Sequence, residues 1–250
     1  GLAIDLVQAV ASYRRACDLG EGSGCSDLGV AYERGAGGLA VDDQTAVALF
    51  RRACDAGASI GCANLGMMLR DGRGGLAADV PRAGELFARS CRDGAAVGCA
   101  ELARLHETGT PTIPRDHARA AELYRRACDD GVAGSCNDLA VLCFEGSAGS
   151  GCGPRDAAPL WRRACDDGVA LACSNLGGLY EEGTGGLVVD EAAAGTLYRR
   201  ACDADDPQGC RRLAAMYTGG RGGLPRDAAR ATELLGRACD AGDQEACRAP

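Results

Sequence analysis

Sixteen cysteines and two histidines are the residues of this 250-residue chain best equipped for chemistry. Thiols ligate metals, act as nucleophiles or close disulfides, and spacing decides among these roles. Cys17, Cys54, Cys91, Cys128, Cys165, Cys202 and Cys239 follow one another at intervals of 37 residues. Each has a partner eight residues on: Cys25, Cys62, Cys99, Cys136, Cys173, Cys210 and Cys247. A structural metal site needs four clustered ligands, with two cysteines three apart or histidines nearby. The chain has neither arrangement, and only His106 and His117 as imidazoles. An even set of regularly spaced cysteines reads instead as a disulfide framework formed in an oxidising compartment, with no metal or cofactor.

Other residues keep the same beat, and they define the elements that must hold the cysteines. Leu28, Leu65, Leu102, Leu139, Leu176 and Leu213 form one series, and Gly35, Gly72, Gly109, Gly146, Gly183 and Gly220 another. Ala9, Ala46, Ala83, Ala120, Ala157, Ala194 and Ala231 are a third, and Leu49, Leu86, Leu123, Leu160, Leu197 and Leu234 a fourth. A fixed period of this size means an array of supersecondary units, each packed on its neighbours. In the unit Asp42 to Ala78, the starter Asp42-Asp43 precedes Ala46, Leu49, Phe50 and Ala53 at helical spacing. Arg51 and Arg52 complement the dipole of its last turn, and Gly57 ends it. A second helix runs from Ser59 to Arg70, with Cys62, Leu65, Gly66 and Leu69 inward, and stops at Gly72.

The expected fold is therefore an all-α solenoid of disulfide-stapled hairpins. It forms a single array over residues 1–250, about seven hairpins with the last truncated. Cys54 and Cys62 face each other across a tight connection between antiparallel helices, within bridging distance. The same geometry pairs Cys17 with Cys25, Cys91 with Cys99, Cys128 with Cys136, Cys165 with Cys173, Cys202 with Cys210 and Cys239 with Cys247. Cys143 occupies a slot held by Tyr32, Tyr180 and Tyr217 elsewhere, and Cys152 lies in the following loop. Three readings stay open for that pair: a bridge pinning the loop, a labile redox pair, or free thiols. Residues Gly146 to Gly151 form the least structured stretch, and Gly153-Pro154 displaces the usual starter, so the next helix is expected to begin near Asp156.

Composition bounds the function. Aromatics are 4% of residues, so the core is thin and covalent staples matter. The net charge of −8 disfavours nucleic acid and anionic membranes as partners. No signal peptide is present, nor an apolar run of the ~18–20 residues that a membrane helix needs. A mature or trimmed form is expected, secreted or periplasmic and monomeric.

Asn64-Leu65-Gly66 before Gly72, Asn175-Leu176-Gly177 with Tyr180 and Gly183, and the recurring Arg-Ala-Cys-Asp and Gly-Cys elements resemble Sel1-like repeats, relatives of the tetratricopeptide repeat. The cysteine pair in every unit further resembles the Helicobacter cysteine-rich protein family, secreted bacterial proteins of that class. The resemblance implies a right-handed superhelix whose concave groove binds a protein or peptide. By the tetratricopeptide analogy, the slot before the repeated leucine faces that groove. Its occupants are Asp27, Asn64, Glu101, Asp138, Asn175 and Arg212. Asn64 and Asn175 match the pattern of an amide that bonds a peptide backbone. Asp27, Glu101 and Asp138 depart from it and favour a basic or amide-rich ligand.

Some members of the cysteine-rich family are described as binding penicillin or hydrolysing β-lactams weakly. A serine β-lactamase needs a lysine in its S-x-x-K motif, and all 27 basic residues here are arginine. His106 replaces a core tyrosine and His117 sits in a helix first turn beside Asp116, so neither reads as catalytic. The main expectation is a non-enzymatic binding scaffold. The rivals are a weak β-lactam or cell-wall enzyme, and an assembly factor in an oxidising organelle compartment.

Overall fold

A computed structural model describes residues 5–147, 149 and 151–248. Ala148 and Ser150, within the loop expected to be least structured, lie outside the described residues. The described residues form α-helices with no strand. The chain divides into two compact units, Gly1–Gly131 and Val132–Pro250.

The first unit holds α1 (Leu6–Asp18), α2 (Gly22–Arg34), α3 (Asp43–Asp55), α4 (Ser59–Asp71), α5 (Val80–Arg92), α6 (Ala96–Thr108) and α7 (His117–Asp129). The second holds α8 (Ala133–Phe144), α9 (Pro154–Asp166), α10 (Ala170–Glu182), α11 (Glu191–Asp203), α12 (Pro207–Gly219), α13 (Ala228–Asp240) and the short α14 (Gln244–Cys247). The aspartates expected as starters are N-caps. Asp42, Asp79, Asp116, Asp190 and Asp227 each accept a backbone N–H from the first turn of α3, α5, α7, α11 and α13. The glycine stops of α2, α4, α10 and α12 take the left-handed conformation that closes a helix end. The short turn before α12 has Asp205 in the slot that glycine holds elsewhere, at φ 59°.

Helix α9 starts at Pro154, two residues earlier than expected. Proline suits a first helical position because its missing N–H would have no partner there. The Asp156 carboxylate accepts the Gly153 N–H at 2.8 Å, so the displaced starter still caps the helix from inside.

The packing unit is offset by one helix from the hairpin that the cysteines suggest. The most intimate pairs in the first unit are α2 with α3, α4 with α5, and α6 with α7, which are joined by the longer glycine-bearing loops. In the first two of these pairs, a helix backbone meets an aromatic ring. A Cβ at Gly29 would stand 2.6 Å from the Phe50 ring, and one at Gly66 2.6 Å from the Phe87 ring. Phe50, Phe87, Ala46 and Ala83 are fully enclosed in one core with Met68 and Leu65. In the second unit, Tyr198 meets Gly177 in the same way, in a core with Leu213, Met216 and Leu234. Within each compact unit, the eight-residue disulfides then span short connections and tie one packing unit to the next. This is the α/α solenoid architecture that the repeat implies, with glycine and aromatic side chains compensating for a thin core.

Candidate functional site

The candidate strip begins on α2, α4 and α6, which pack side by side in the first unit. Asp27, Asn64 and Glu101 occupy the same register on these helices. Residues three and four apart share a helix face, so Ile60 and Met67 join Asn64, and Val30 joins Asp27. Ile60 is exposed, while Val30, Asn64 and Met67 are half-buried. The surface is thus polar along its centre and apolar at its flanks.

The strip residues differ in how far the protein already uses them. The Asn64 side-chain amide donates to Ser26 Oγ at 3.2 Å, which bridges α4 to α2 and leaves its carbonyl oxygen for another donor. Glu101 is buried and held by two arginines: Arg70 from α4, and Arg104 one turn on at 3.0 Å. Its charge is neutralised inside the stack. Asp27 is exposed and makes no hydrogen bond or ion pair among the described residues. Partial desolvation raises its pKa above the ordinary carboxylate value.

In the second unit the same register carries Asp138, Asn175 and Arg212. Asn175 donates to Asn137 Oδ1 at 3.4 Å, and Asn137 in turn donates to Asp138 at 3.2 Å. Arg212 pairs with Glu181 at 3.5 Å, an acid that also receives Arg221 and the Tyr198 hydroxyl. Burial acts against the ionised Glu181. The hydrogen bonds from Tyr198 and Arg221, with the charges of Arg221 and Arg212, outweigh it and pull its pKa below the usual range. Desolvation, then the bond to Glu181, pushes the Tyr198 phenol strongly upward.

The sequence did not disclose the partners Arg70, Ser26 and Glu181. Arg70 lies 31 residues before Glu101 and Ser26 lies 38 before Asn64, neither at the repeat distance. A further set of links was also hidden. Arg52 donates to the Cys17 carbonyl and Arg89 to the Cys54 carbonyl, both at 3.0 Å, while Arg200 and Arg237 reach Cys165 and Cys202. These last-turn arginines satisfy the exposed C-terminal carbonyls of the preceding repeat's helix. That is a different role from complementing the dipole of their own.

The cysteines are all bridged. Cys17–Cys25, Cys54–Cys62, Cys91–Cys99, Cys165–Cys173, Cys202–Cys210 and Cys239–Cys247 have Cα separations between 4.4 and 4.8 Å. Cys143 bridges Cys152, and Cys128 and Cys136 are also disulfide-bonded. Such a set points to an oxidising compartment. No group of metal-ligating side chains occurs among the described residues. No helix among them is long and apolar enough to cross a membrane. The ring nitrogens of His106 and His117 make no hydrogen bond to a serine or carboxylate among the described residues, and His106 Nδ1 is enclosed without a partner.

Comparison with known proteins agrees with this architecture. A Sel1 repeat protein from Oxalobacter formigenes is 21% identical, over 93% of this chain and 99% of that one, with a TM-score of 0.82. The uropathogenic Escherichia coli protein c5321, a protective antigen with an SLR fold, is 22% identical, with a TM-score of 0.80. That match covers 95% of this chain and 50% of the antigen, so the chain spans half the antigen's length. Helicobacter pylori cysteine rich protein B is 24% identical over 56% of this chain and 98% of its own, with a TM-score of 0.41. At these identities the likeness concerns fold alone. Among curated proteins, none matches the chain. The Sel1 repeat pattern matches residues 22–57, 59–94, 96–132, 170–206 and 207–243, well over half of the sequence and in the phase of the packing units. The chain belongs to the Sel1 repeat family.

Proposed function

We propose that the protein is a non-enzymatic scaffold, exported to an oxidising space, that binds a protein segment on the α2–α4–α6 face through Asp27 and Asn64. The observation that carries this reading is the state of Asp27. It is a carboxyl without a partner among the described residues, on an accessible face, in surroundings that disfavour its charge. A lysine or arginine brought opposite it relieves that penalty, which favours basic segments. Asn64 supplies a free carbonyl oxygen beside it, and Ile60, Met67 and Val30 supply apolar contact area. Asn175 offers the corresponding amide in the second unit, whereas Glu101, Asp138 and Arg212 are held by neighbours and act as supports. The Oxalobacter formigenes structure is described only as a Sel1 repeat protein and the Escherichia coli one as a protective antigen, so the partner is defined here by its chemistry.

The test is capture of the partner by cross-linking to the full chain in its source, followed by calorimetry with variants. Asp27→Asn combined with Asn64→Ala should weaken a basic ligand by about five- to hundredfold, the sum of two contacts worth ~0.5–1.5 kcal/mol each. Arg51→Ala, on an exposed site of α3, should leave affinity unchanged. Equal affinity in all three proteins would place the ligand elsewhere and end this reading.

A further inference from the structure

The loop joining α6 to α7 breaks a docking rule that four other loops keep. In those loops a glycine backbone presses on the first turn of the preceding repeat's odd-numbered helix. A Cβ at Gly37, Gly74 or Gly222 would stand 2.5 Å from the carbonyl oxygen of Leu6, Asp43 or Glu191 respectively, and one at Gly185 3.2 Å from that of Pro154. Arginine reinforces the contact in two of them, with Arg73 on Asp43 at 2.8 Å and Arg221 on Glu191 at 3.6 Å. At the α6–α7 loop each of these parts is changed together. Thr110, Pro111 and Thr112 stand where the loop after α4 has Arg73, Gly74 and Gly75, and Val80 of α5 stands where α3 has Asp43. The proline ring prevents the close approach, and neither half of the ion pair remains.

The altered loop is ordered by bonds to itself instead. Thr110 N–H donates to the Ile113 carbonyl at 2.7 Å, and Ile113 N–H donates to Thr110 Oγ1 at 2.9 Å. A cleft of about 740 Å³ lies between this loop and the start of α5, with Leu69, Leu76, Pro81, Arg82, Pro111 and Thr112 among its walls. That volume is within the range of small-ligand and side-chain pockets, ~300–1,000 Å³. The walls are mostly apolar. The Asp79 carboxylate on the rim is occupied by the Arg82 backbone N–H. The Arg82 guanidinium is exposed and unpaired among the described residues. By contrast, Arg119 and Arg230 in the same register bind Glu122 and Glu233 one turn on.

We infer that this cleft is a second docking site, which receives a bulky apolar side chain of a partner protein flanked by a carboxylate that pairs with Arg82. The mouth is open rather than closed over, so an extended segment enters it without the loop moving. Pro81 and Pro111 in the walls have φ fixed by their rings, which lowers the ordering cost of binding. This site prefers acidic segments, opposite to the preference proposed for the Asp27 face, so the two fail or succeed independently.

The test uses the full oxidised chain and two capped peptides, acetyl-Asp-Phe-Asp-amide and acetyl-Lys-Phe-Lys-amide, followed by amide NMR. The acidic peptide should shift Arg82, Thr110 and Thr112 and bind several-fold more tightly than the basic one. Arg82→Ala should weaken the acidic peptide by about three- to tenfold, the worth of one charge-assisted contact at an open site, and should not weaken the basic one. Installing the docking set (Val80→Asp, Thr110→Arg, Pro111→Gly and Thr112→Gly) should close the cleft and abolish both. If that variant does not fold, Ala77→Phe, at an exposed lining position, fills the cleft without rebuilding the loop. Shifts that map elsewhere, none at the solubility limit of the peptides, equal binding of both peptides, or binding that survives a filled cleft would each overturn the proposal.

Discussion

Removing one staple should weaken one junction and spare the rest of the chain. The perturbation is Cys54→Ala with Cys62→Ala, a pair that joins the last turn of α3 to the first turn of α4 at a Cα separation of 4.5 Å. With a sequence separation of 8, the chain-entropy relation gives about 2.5 kcal/mol at 25 °C for the lost cross-link. Both side chains are enclosed, at 2% and 0% exposure, so the missing sulfurs leave a small cavity and bring the expected loss to ~3–4 kcal/mol. Three bonds resist a larger effect at this place: Arg52 to Cys17, Arg89 to Cys54, and Asn64 to Ser26. In a stacked array, stability sums over units and nearest-neighbour interfaces, so the loss is local. Native-state hydrogen exchange is the assay that resolves this. Amides of α3 and α4 should lose protection equivalent to the full figure, while those of α12 and α13 change little. A loss below about 0.5 kcal/mol at the junction would mean that packing alone closes it and that the entropic estimate does not apply. A uniform loss along the chain would refute nearest-neighbour coupling.

Ser90 sits in the slot that alanine holds in the other repeats, is fully enclosed, and its hydroxyl has no partner among the described residues. Ser90→Ala should therefore stabilise by about 1 kcal/mol, from relief of the unpaired hydroxyl and better helix propensity. The corresponding rise in melting temperature is ~2–4 °C, and a fall would show that the hydroxyl is satisfied. Gly66→Ala places a methyl 2.6 Å from the Phe87 ring and should cost ~1–3 kcal/mol in urea unfolding. Gly134→Ala, where nothing lies within 4 Å of the new carbon, should cost nothing. The lowered pKa of Glu181 means that its stabilising contribution is complete above the unfolded carboxylate value near 4.5 and is lost as pH falls through the lower folded value. Glu181→Gln should flatten the acid limb of the stability profile, and an unchanged limb would remove this cluster from the acid response.

The helices and their ends were legible because their causes are local. Asp42, Asp79 and Asp116 cap the turns that follow them, and Gly35 and Gly72 end the helices that precede them. The phase of the repeat was not legible in the cysteines. They mark the short connection, whereas Phe50 against Gly29 and Phe87 against Gly66 define the closer pair across the long loop. Those glycines were visible in sequence, but nothing nearby in the chain says which ring each will meet. The strip register was legible too, since Asp27, Asn64 and Glu101 keep the period. Its electrostatics were not, because Arg70 reaches Glu101 from a different helix and a different register. An acidic residue at a repeat position reads as a ligand contact until its cation is found in space.

This distribution of side-chain duties says where an array of near-identical units has room to differ. Last-turn arginines such as Arg52 and Arg89 are committed to the carbonyls of the preceding repeat. Enclosed residues such as Phe87 and Ala83 are committed to the core, and Glu101 and Asn64 to the stack of α2, α4 and α6. A substitution at any of these positions disturbs a neighbour as well as itself, so changes there are costly. Loop and first-turn positions are committed only where the docking glycine is kept, as at Gly74 against Asp43. At Thr110–Thr112 and Val80 the docking parts changed together, and an ordered cleft resulted rather than a damaged core. Asp27 is the comparable case on the helical face, a polar position that no neighbour among the described residues uses. Binding specificity in this fold is therefore expected to be written at residues released from inter-repeat duty, as Asp27 and Thr110–Thr112 are, with Asn64 keeping one foot in the stack.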